Sequence, residues 1–374
     1  MRISSSYLSL IKLGIDHQAD IPAEIDWKAV RTLASKQGLA AIVLDGVKVL
    51  MEKAPSALKG LNLDFKLDWV AECVVGYEQR YEDYRKTIAE LAAFYKENGF
   101  KMMVLKGYGL SLNYPVPSHR PCGDIDIWQF GDFKKADEAV AREFGIKIDN
   151  SHHHHTTFDY KGYLVENHYD IINVHYSQGD RKLEGILKKL AVDESNFVEI
   201  KDIRVYLPSA NLHSLFLIKH CMSHFASTFI SLRQLLDWAL FVEKHTSEID
   251  WKWLCAVLED FHMLDFFNYL NAICIEDLGF DAELFGGKIF TIENDRVADT
   301  CVIDTSLKKR ILADIISPEF TEEEPTGPGL FRRVAFKYRR WQANAWKQRL
   351  CYSDNRFVAF WKSAWAHLLK PSSI

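Results

Sequence analysis

The seven cysteines are scattered along the 374 residues, and no two stand in a CxxC pair. That spacing carries no zinc signature, and an odd, dispersed set fits a reducing compartment better than a disulfide framework. No apolar run approaches the ~20 residues that a membrane span requires. The opening "MRISSSYLSLIKLG" has a short, polar-interrupted apolar run and no small-residue cleavage site, which makes a poor signal peptide. A cytoplasmic protein without a transmembrane segment is expected. Several catalytic signatures are also missing. There is no GxxxxGK[ST] loop, "GYGLSL" lacks the third glycine of a dinucleotide fingerprint, and "HRPCGDID" is followed by neither the asparagine nor the DFG of a kinase. No serine or cysteine sits in a nucleophile elbow. A net charge of -5 removes any whole-surface affinity for nucleic acid or anionic membranes, so such contacts would have to be local.

What is present is an ordinary globular composition, 48% apolar and 26% charged, long enough for one large domain or two smaller ones. Residues 1–99 read as an N-terminal helical region. Leu67, Val70, Ala71, Val74, Tyr77, Tyr81, Tyr84, Ile88, Leu91, Ala92 and Tyr95 recur at three- and four-residue steps, and Asn98-Gly99 supplies a stop. Residues 100–207 change character. "FKMMVL" is a short apolar strand, "DIDIW" alternates with period two, "FKKADEAVAREF" returns to helical spacing, and "HHHHTTFDY" and "YLVENHY" flank a Lys-Gly turn. This is a small mixed α/β unit, and the fold class expected is α/β (α+β) with helical regions on both sides. Residues 208–316 are helical again. Residues 317–374 begin with the linker "SPEFTEEEPTGPG" and continue into "FRRVAFKYRRWQANAWKQR", a basic amphipathic helix with seven basic residues and no acidic one, suited to a membrane surface or an acidic partner.

The α/β unit carries the chemistry. Side chains two apart in a strand share a face, so Asp124 and Asp126 point together while Ile125 and Ile127 pack behind them. Two carboxylates on one face repel unless a cation lies between them, and a pair of Mg²⁺ ions, or Mn²⁺, is the arrangement that handles phosphoryl chemistry. A third carboxylate is then expected from another strand. Glu166 in "YLVENHY" supplies it and is also placed to take a proton from an attacking hydroxyl, with Asp170 and Glu143 as rivals. In "VLKGYGL" a strand ends and a helix opens, so the backbone near Gly107 and the Lys106 ammonium can hold phosphate oxygens. Arg120 is a second cation for a triphosphate.

Taken in order, "LKG", Arg120, "GDIDIW" and the acid Glu166 resemble the nucleotidyltransferase superfamily of DNA polymerase β type. The resemblance is strongest to a bacterial branch with a helical C-terminal half, to which "LRQLLDWALF" followed by "IDWKWL" is similar. It spans Leu105 to Trp253. It implies that Asp124, Asp126 and Glu166 bind the metals and act in catalysis, and that Lys106 and Gly107, with Arg120, receive ATP or another NTP. Compact members carry Gly-Ser at the turn where this chain has Lys106-Gly107-Tyr108. The implied activity is Mg-dependent transfer of a nucleoside monophosphate to a hydroxyl-bearing acceptor. A phosphocholine-type phosphotransferase acting in glycan modification and a non-catalytic adaptor are the alternatives.

Other polar clusters have simpler readings. Alternation puts half of the His152–His155 run on the Glu166 side, as a solvated or substrate-facing strand rather than a dedicated zinc site. His220 and His224 lack the glutamate of HExxH and read as packing, and Arg233 with Asp237 reads as an i, i+4 ion pair.

Overall fold

The computed structural model describes the chain except residues 1, 23, 175–178, 287–290, 294–295, 299–302, 323–329 and 353–374. For residues 2–4, 291–293, 296–298, 330 and 331 it describes the backbone alone. The linker between Ser317 and Gly329 and the end of the tail therefore lie largely outside the described residues. The fold is mixed α/β, a six-stranded sheet flanked by helices. It divides into two compact units, one of residues 1–61 and 217–353, the other built on residues 62–216.

In the first unit, α1 (Arg2–Gly14), α2 (Trp27–Gln37) and α3 (Ala40–Lys53) lead the chain. The contact of α1 with α3 depends on two glycines: a Cβ on Gly46 would lie 2.0 Å from the Leu10 carbonyl oxygen, and one on Gly14 would lie 1.9 Å from that of Ile42. Only a residue without a side chain lets the two backbones approach this closely.

The second unit opens with α4 (Leu63–Cys73) and α5 (Arg80–Glu97), joined by a π-helical turn. Its sheet contains β1 (Met103–Val104), β2 (Ile125–Trp128), β3 (His155–Tyr160), β4 (Tyr163–His168), β5 (Phe197–Ile200) and β6 (Ile203–Tyr206) in the order β3-β4-β2-β1-β6-β5. The short α6 (Tyr108–Ser111), then α7 (Phe133–Phe144) and α8 (Asp180–Leu190), complete it. The tyrosine-rich face of α5, with Tyr81, Tyr84, Ile88, Leu91 and Tyr95, forms one core with Ala136 and Val140 of α7 and with Ile125, Ile127, Phe158 and Val165 of the sheet. Those strand residues occupy alternate positions, so the intervening residues are forced onto the other face. The expected Lys-Gly turn is present, with φ of 52° at Lys161 and 82° at Gly162, the positive pair that a tight hairpin requires.

The remaining chain returns to the first unit through the helices α9 (Ala210–Ser227), which begins in the second unit, α10 (Leu232–His245), α11 (Trp251–Asp260), α12 (Leu264–Glu276) and α13 (Thr305–Ile316). The buried Gln37 side chain ties three of the unit's helices: Nε2 donates to the Ile315 carbonyl at 2.9 Å, and Oε1 accepts from Leu232 N at 2.7 Å. The basic segment forms α14 (Leu330–Ala343) and α15 (Ala345–Cys351). Phe336 and Lys347 are buried, and Lys347 Nζ lies 2.5 Å from an Asp314 carboxylate oxygen and donates to the Thr228 carbonyl at 3.1 Å. Arg332, Arg339 and Arg349 are exposed. No helix of the described residues is long and apolar enough to cross a membrane.

Candidate active site

Strand register assembles the site. β2 runs parallel to β4 with Asp126 opposite Glu166 and Trp128 opposite His168, and antiparallel β3 places His155 opposite His168. Asp126, Glu166, His168 and His155 therefore share the face turned away from the α5–α7 core. On the other face Asn167 Nδ2 and Thr156 Oγ1 both donate to Asp137 of α7, at 2.8 and 2.7 Å, which holds the β3–β4 ribbon in register against the helix.

Asp126 is buried, and its Oδ1 takes Lys106 Nζ at 2.7 Å and His168 Nε2 at 3.2 Å. The other ring nitrogen of His168, Nδ1, faces the Asp170 carbonyl at 3.2 Å. Both nitrogens thus meet oxygens that only accept, and the protonated ring satisfies both. Burial alone would lower the His168 pKa, but its hydrogen bonds to Asp126 and Glu166 outweigh that and raise it. For Asp126 burial acts upward, yet the Lys106 charge and then His168 hold the carboxyl well below the usual carboxylate range.

Asp124 behaves differently. The strand begins one residue later, at Ile125, so Asp124 lies at its mouth and is exposed. Its carbonyl oxygen is taken by the Tyr84 hydroxyl at 2.9 Å instead of by a neighbouring strand. Its pKa is raised, first by partial burial, then by the negative charges of Glu166 and Asp126. The Asp124 carboxylate therefore feels the other two as repulsion.

Gly107 shapes the turn after β1. It has φ 56° and ψ -103°, and a Cβ there would sit 2.3 Å from the Tyr84 hydroxyl oxygen. The same tyrosine thus explains both the glycine and the placement of Asp124. Lys106, from the turn after β1, is the cation brought to the acids. Arg120 is buried and donates to the Pro121 carbonyl at 3.2 Å. Arg80, which the sequence pattern did not single out, is a second cation whose field reaches Asp124. Of the rivals to Glu166, Asp170 pairs with Lys188, and Glu143 is exposed on α7.

Two imidazoles stand beside the acids, His155 from the run placed on the Glu166 side and His168, which the sequence pattern did not single out. His168 Nε2 lies 3.5 Å from Glu166 Oε2 as well as against Asp126, and His155 Nδ1 lies 3.9 Å from the same Glu166 oxygen. Period two from Glu166 would have found His168. Burial, first of all, pushes the pKa of His154 down to about 2 and that of His155 to about 4, so both rings are neutral at ordinary pH. His220 and His224 pack ring to ring on α9, 4.4 Å between centroids.

The donor set fits a divalent cation. Oxygen donors from Asp124, Asp126 and Glu166 suit a hard ion, and the repulsion that raises the Asp124 pKa is what such an ion would relieve. Asp126, Glu166 and His168 each offer one ligand atom within 4.8 Å of the other two.

A family model described as "uncharacterised nucleotidyltransferase" matches residues 23–278. No curated protein and no solved structure matches the chain.

Proposed function

The chain belongs to the uncharacterised nucleotidyltransferase family, and from that premise we propose that it transfers a nucleoside monophosphate from an NTP to a hydroxyl-bearing acceptor, with Asp124, Asp126 and Glu166 as the working acids. The observation that carries this reading is the pairing of Asp126 with Glu166 across adjacent parallel strands, with Lys106 Nζ 2.7 Å from Asp126. The three carboxylates would hold Mg²⁺ or Mn²⁺, which when bound supplies charge neutralisation for the triphosphate and acidifies the acceptor hydroxyl.

The chain's own residues divide the remaining work. Glu166, partly exposed on the sheet face, accepts the proton of the acceptor hydroxyl. The acceptor oxygen then bonds to the α-phosphorus as the bond to the bridging oxygen breaks, and pyrophosphate leaves with the electron pair. Lys106 exchanges its carboxylate partner for the departing phosphates, a charge-assisted contact in either state. Gly107, with its positive φ and no side chain against the Tyr84 hydroxyl, lets the turn that carries Lys106 keep its shape. His168 holds Asp126 in one orientation throughout.

Purified protein incubated with each of the four NTPs and Mg²⁺ should release pyrophosphate with at least one of them. A binding NTP should also stabilise the fold by about 2.7 kcal/mol at a hundredfold excess over Kd. Absence of both pyrophosphate release and thermal stabilisation for all four NTPs would overturn the assignment.

A further inference from the structure

We infer that the cleft between α5 and the β3–β4 turn seats an anionic group of the acceptor, so that the acceptor is a hydroxyl-bearing molecule that also carries a phosphate, held by Arg80 and Lys86. The inference rests on the transfer reading in taking the ligand to be the acceptor, and adds to it the acceptor's chemical class.

The first support is the lining. A cleft of about 380 Å³ opens between the helix, which contributes Arg80, Asp83, Lys86 and Glu90, and the hairpin, which contributes Lys161 and Tyr163. That volume holds a small molecule, and a lining made almost wholly of charged and polar groups selects a charged one over an apolar one. Lys161 Nζ is committed to Glu90, 2.5 Å away. Arg80 and Lys86 are exposed, and among the described residues neither has a carboxylate oxygen within ion-pair distance. Two uncommitted cations match the double negative charge of a phosphate monoester, and the planar guanidinium suits its oxygens. Asp83, on the same helix face, can accept a hydroxyl as well, which suits a phosphate carried on a polyol.

The second support is position. β2 and β4 are parallel with Ile125 opposite Val165, so the Lys161-Gly162 turn that leads into β4 lies at the same end of the sheet as Asp124. The Tyr163 hydroxyl donates to the Arg80 carbonyl at 3.1 Å, and the Arg80 guanidinium carbon stands 5.8 Å from the centre of the Tyr163 ring. That ring meets Tyr84 edge-on at 5.3 Å between centroids, and the Tyr84 hydroxyl holds the Asp124 carbonyl. Two packed rings thus link the wall of the cleft to the mouth of β2, and the Arg80 charge is felt at the Asp124 carboxylate.

The side of the sheet decides which substrate the cleft serves. The strand order puts β1 and β4 on opposite sides of β2. Lys106, the cation for the nucleotide phosphates, comes from the β1 side. Glu166, which takes the acceptor's proton, stands on β4, and the cleft lies at the foot of that same strand. A phosphate held there belongs to the molecule that approaches Glu166.

The test uses the full chain without nucleotide or metal, with glycerol 3-phosphate as the probe and isothermal titration calorimetry as the readout. Glycerol 3-phosphate should bind in the millimolar range or tighter, and glycerol should not bind. Arg80→Gln and Lys86→Gln, both at exposed positions, should each weaken the phosphate probe by about tenfold. No binding of glycerol 3-phosphate by the wild type, or equal binding by the wild type and Arg80→Gln, overturns the inference. So does loss of probe binding in Lys106→Met but not in Arg80→Gln, which would put the probe in the nucleotide site. A tenfold loss of ATP binding in Arg80→Gln would make Arg80 a nucleotide ligand and overturn the assignment to the acceptor. The outcome is separable from the transfer activity. Probe binding through Arg80 and Lys86 in a protein that releases no pyrophosphate with any NTP would refute the transfer reading and leave the anion site standing, and pyrophosphate release without probe binding would refute this inference alone.

Discussion

Replacing Asp126 and Asp124 one at a time by asparagine separates two carboxylates that the sequence treats as equals. Read from the strand pattern, both are repelling charges whose removal should be neutral or mildly stabilising in the metal-free protein. The structure gives them different weights. Asp126 is buried with Lys106 at 2.7 Å and His168 at 3.2 Å, and Asp126→Asn leaves both cations facing a neutral amide. Breaking a buried pair costs about 3–5 kcal/mol, and the amide oxygen keeps part of one hydrogen bond, so about 3 kcal/mol is expected. Asp124 is exposed and repelled by its neighbours, so Asp124→Asn should lie within about 0.5 kcal/mol of wild type.

Because the chain has two units, a single global unfolding energy is a poor readout. Amide exchange followed in β2 and β4 reports the unit that holds the site, and 3 kcal/mol corresponds to exchange faster by roughly a hundredfold or more. The pH dependence follows from the same pair. The Asp126 pKa is depressed, so its contribution is present above the unfolded carboxylate pKa, about 4, and is lost as pH falls through the folded value. The His168 pKa is raised, so its contribution is present below about 6.5 and is lost as pH rises through its folded value. Protection should therefore plateau between those limits and fall on both sides, and the plateau should flatten in Asp126→Asn. Equal protection of Asp126→Asn and wild type, or equal loss in Asp124→Asn and Asp126→Asn, would refute the reasoning.

Gly107→Ala combines a positive φ with a Cβ 2.3 Å from the Tyr84 hydroxyl oxygen, and should cost about 2–4 kcal/mol from strain and loss of the Tyr84–Asp124 hydrogen bond. Tyr84→Phe removes the obstructing oxygen, so Gly107→Ala should cost about 1–2 kcal/mol less in that background by chemical denaturation; an additive double variant would contradict the geometry. Lys347→Ala should destabilise the first unit by about 3–5 kcal/mol, since it leaves the Asp314 carboxylate buried without its cation. Scanning calorimetry showing an unchanged first-unit transition would mean the pair is not held in solution. If the nucleotide reading is right, Lys106→Met should weaken NTP binding at least tenfold in a fluorescence titration while Lys101→Met, on a surface pair with Glu194, leaves it unchanged.

The sequence alone determined the repeating parts of this protein. Period two in "DIDIW" and "YLVENHY" put Ile125, Ile127 and Val165 toward a core and the acids away from it. The Lys-Gly dipeptide marked the hairpin, and the three- and four-residue spacing from Tyr81 to Tyr95 marked a helix with one buried face. Each is a local property, decided by backbone geometry and burial within a few residues. Only the tertiary structure decided which strands are neighbours. Asp126 and Glu166 are forty residues apart and meet because β4 lies beside β2 at one register, held by the packing of α5 and α7 and by the hydrogen bond from Asn167 to the distant Asp137. The same long-range packing pulled Asp124 out of the strand onto Tyr84, set Lys106 on Asp126 and drew His155 and His168 around Glu166. Charge and hydrogen-bond partners depend on distances across the fold, and a sequence carries no such distances until the core that sets them has closed.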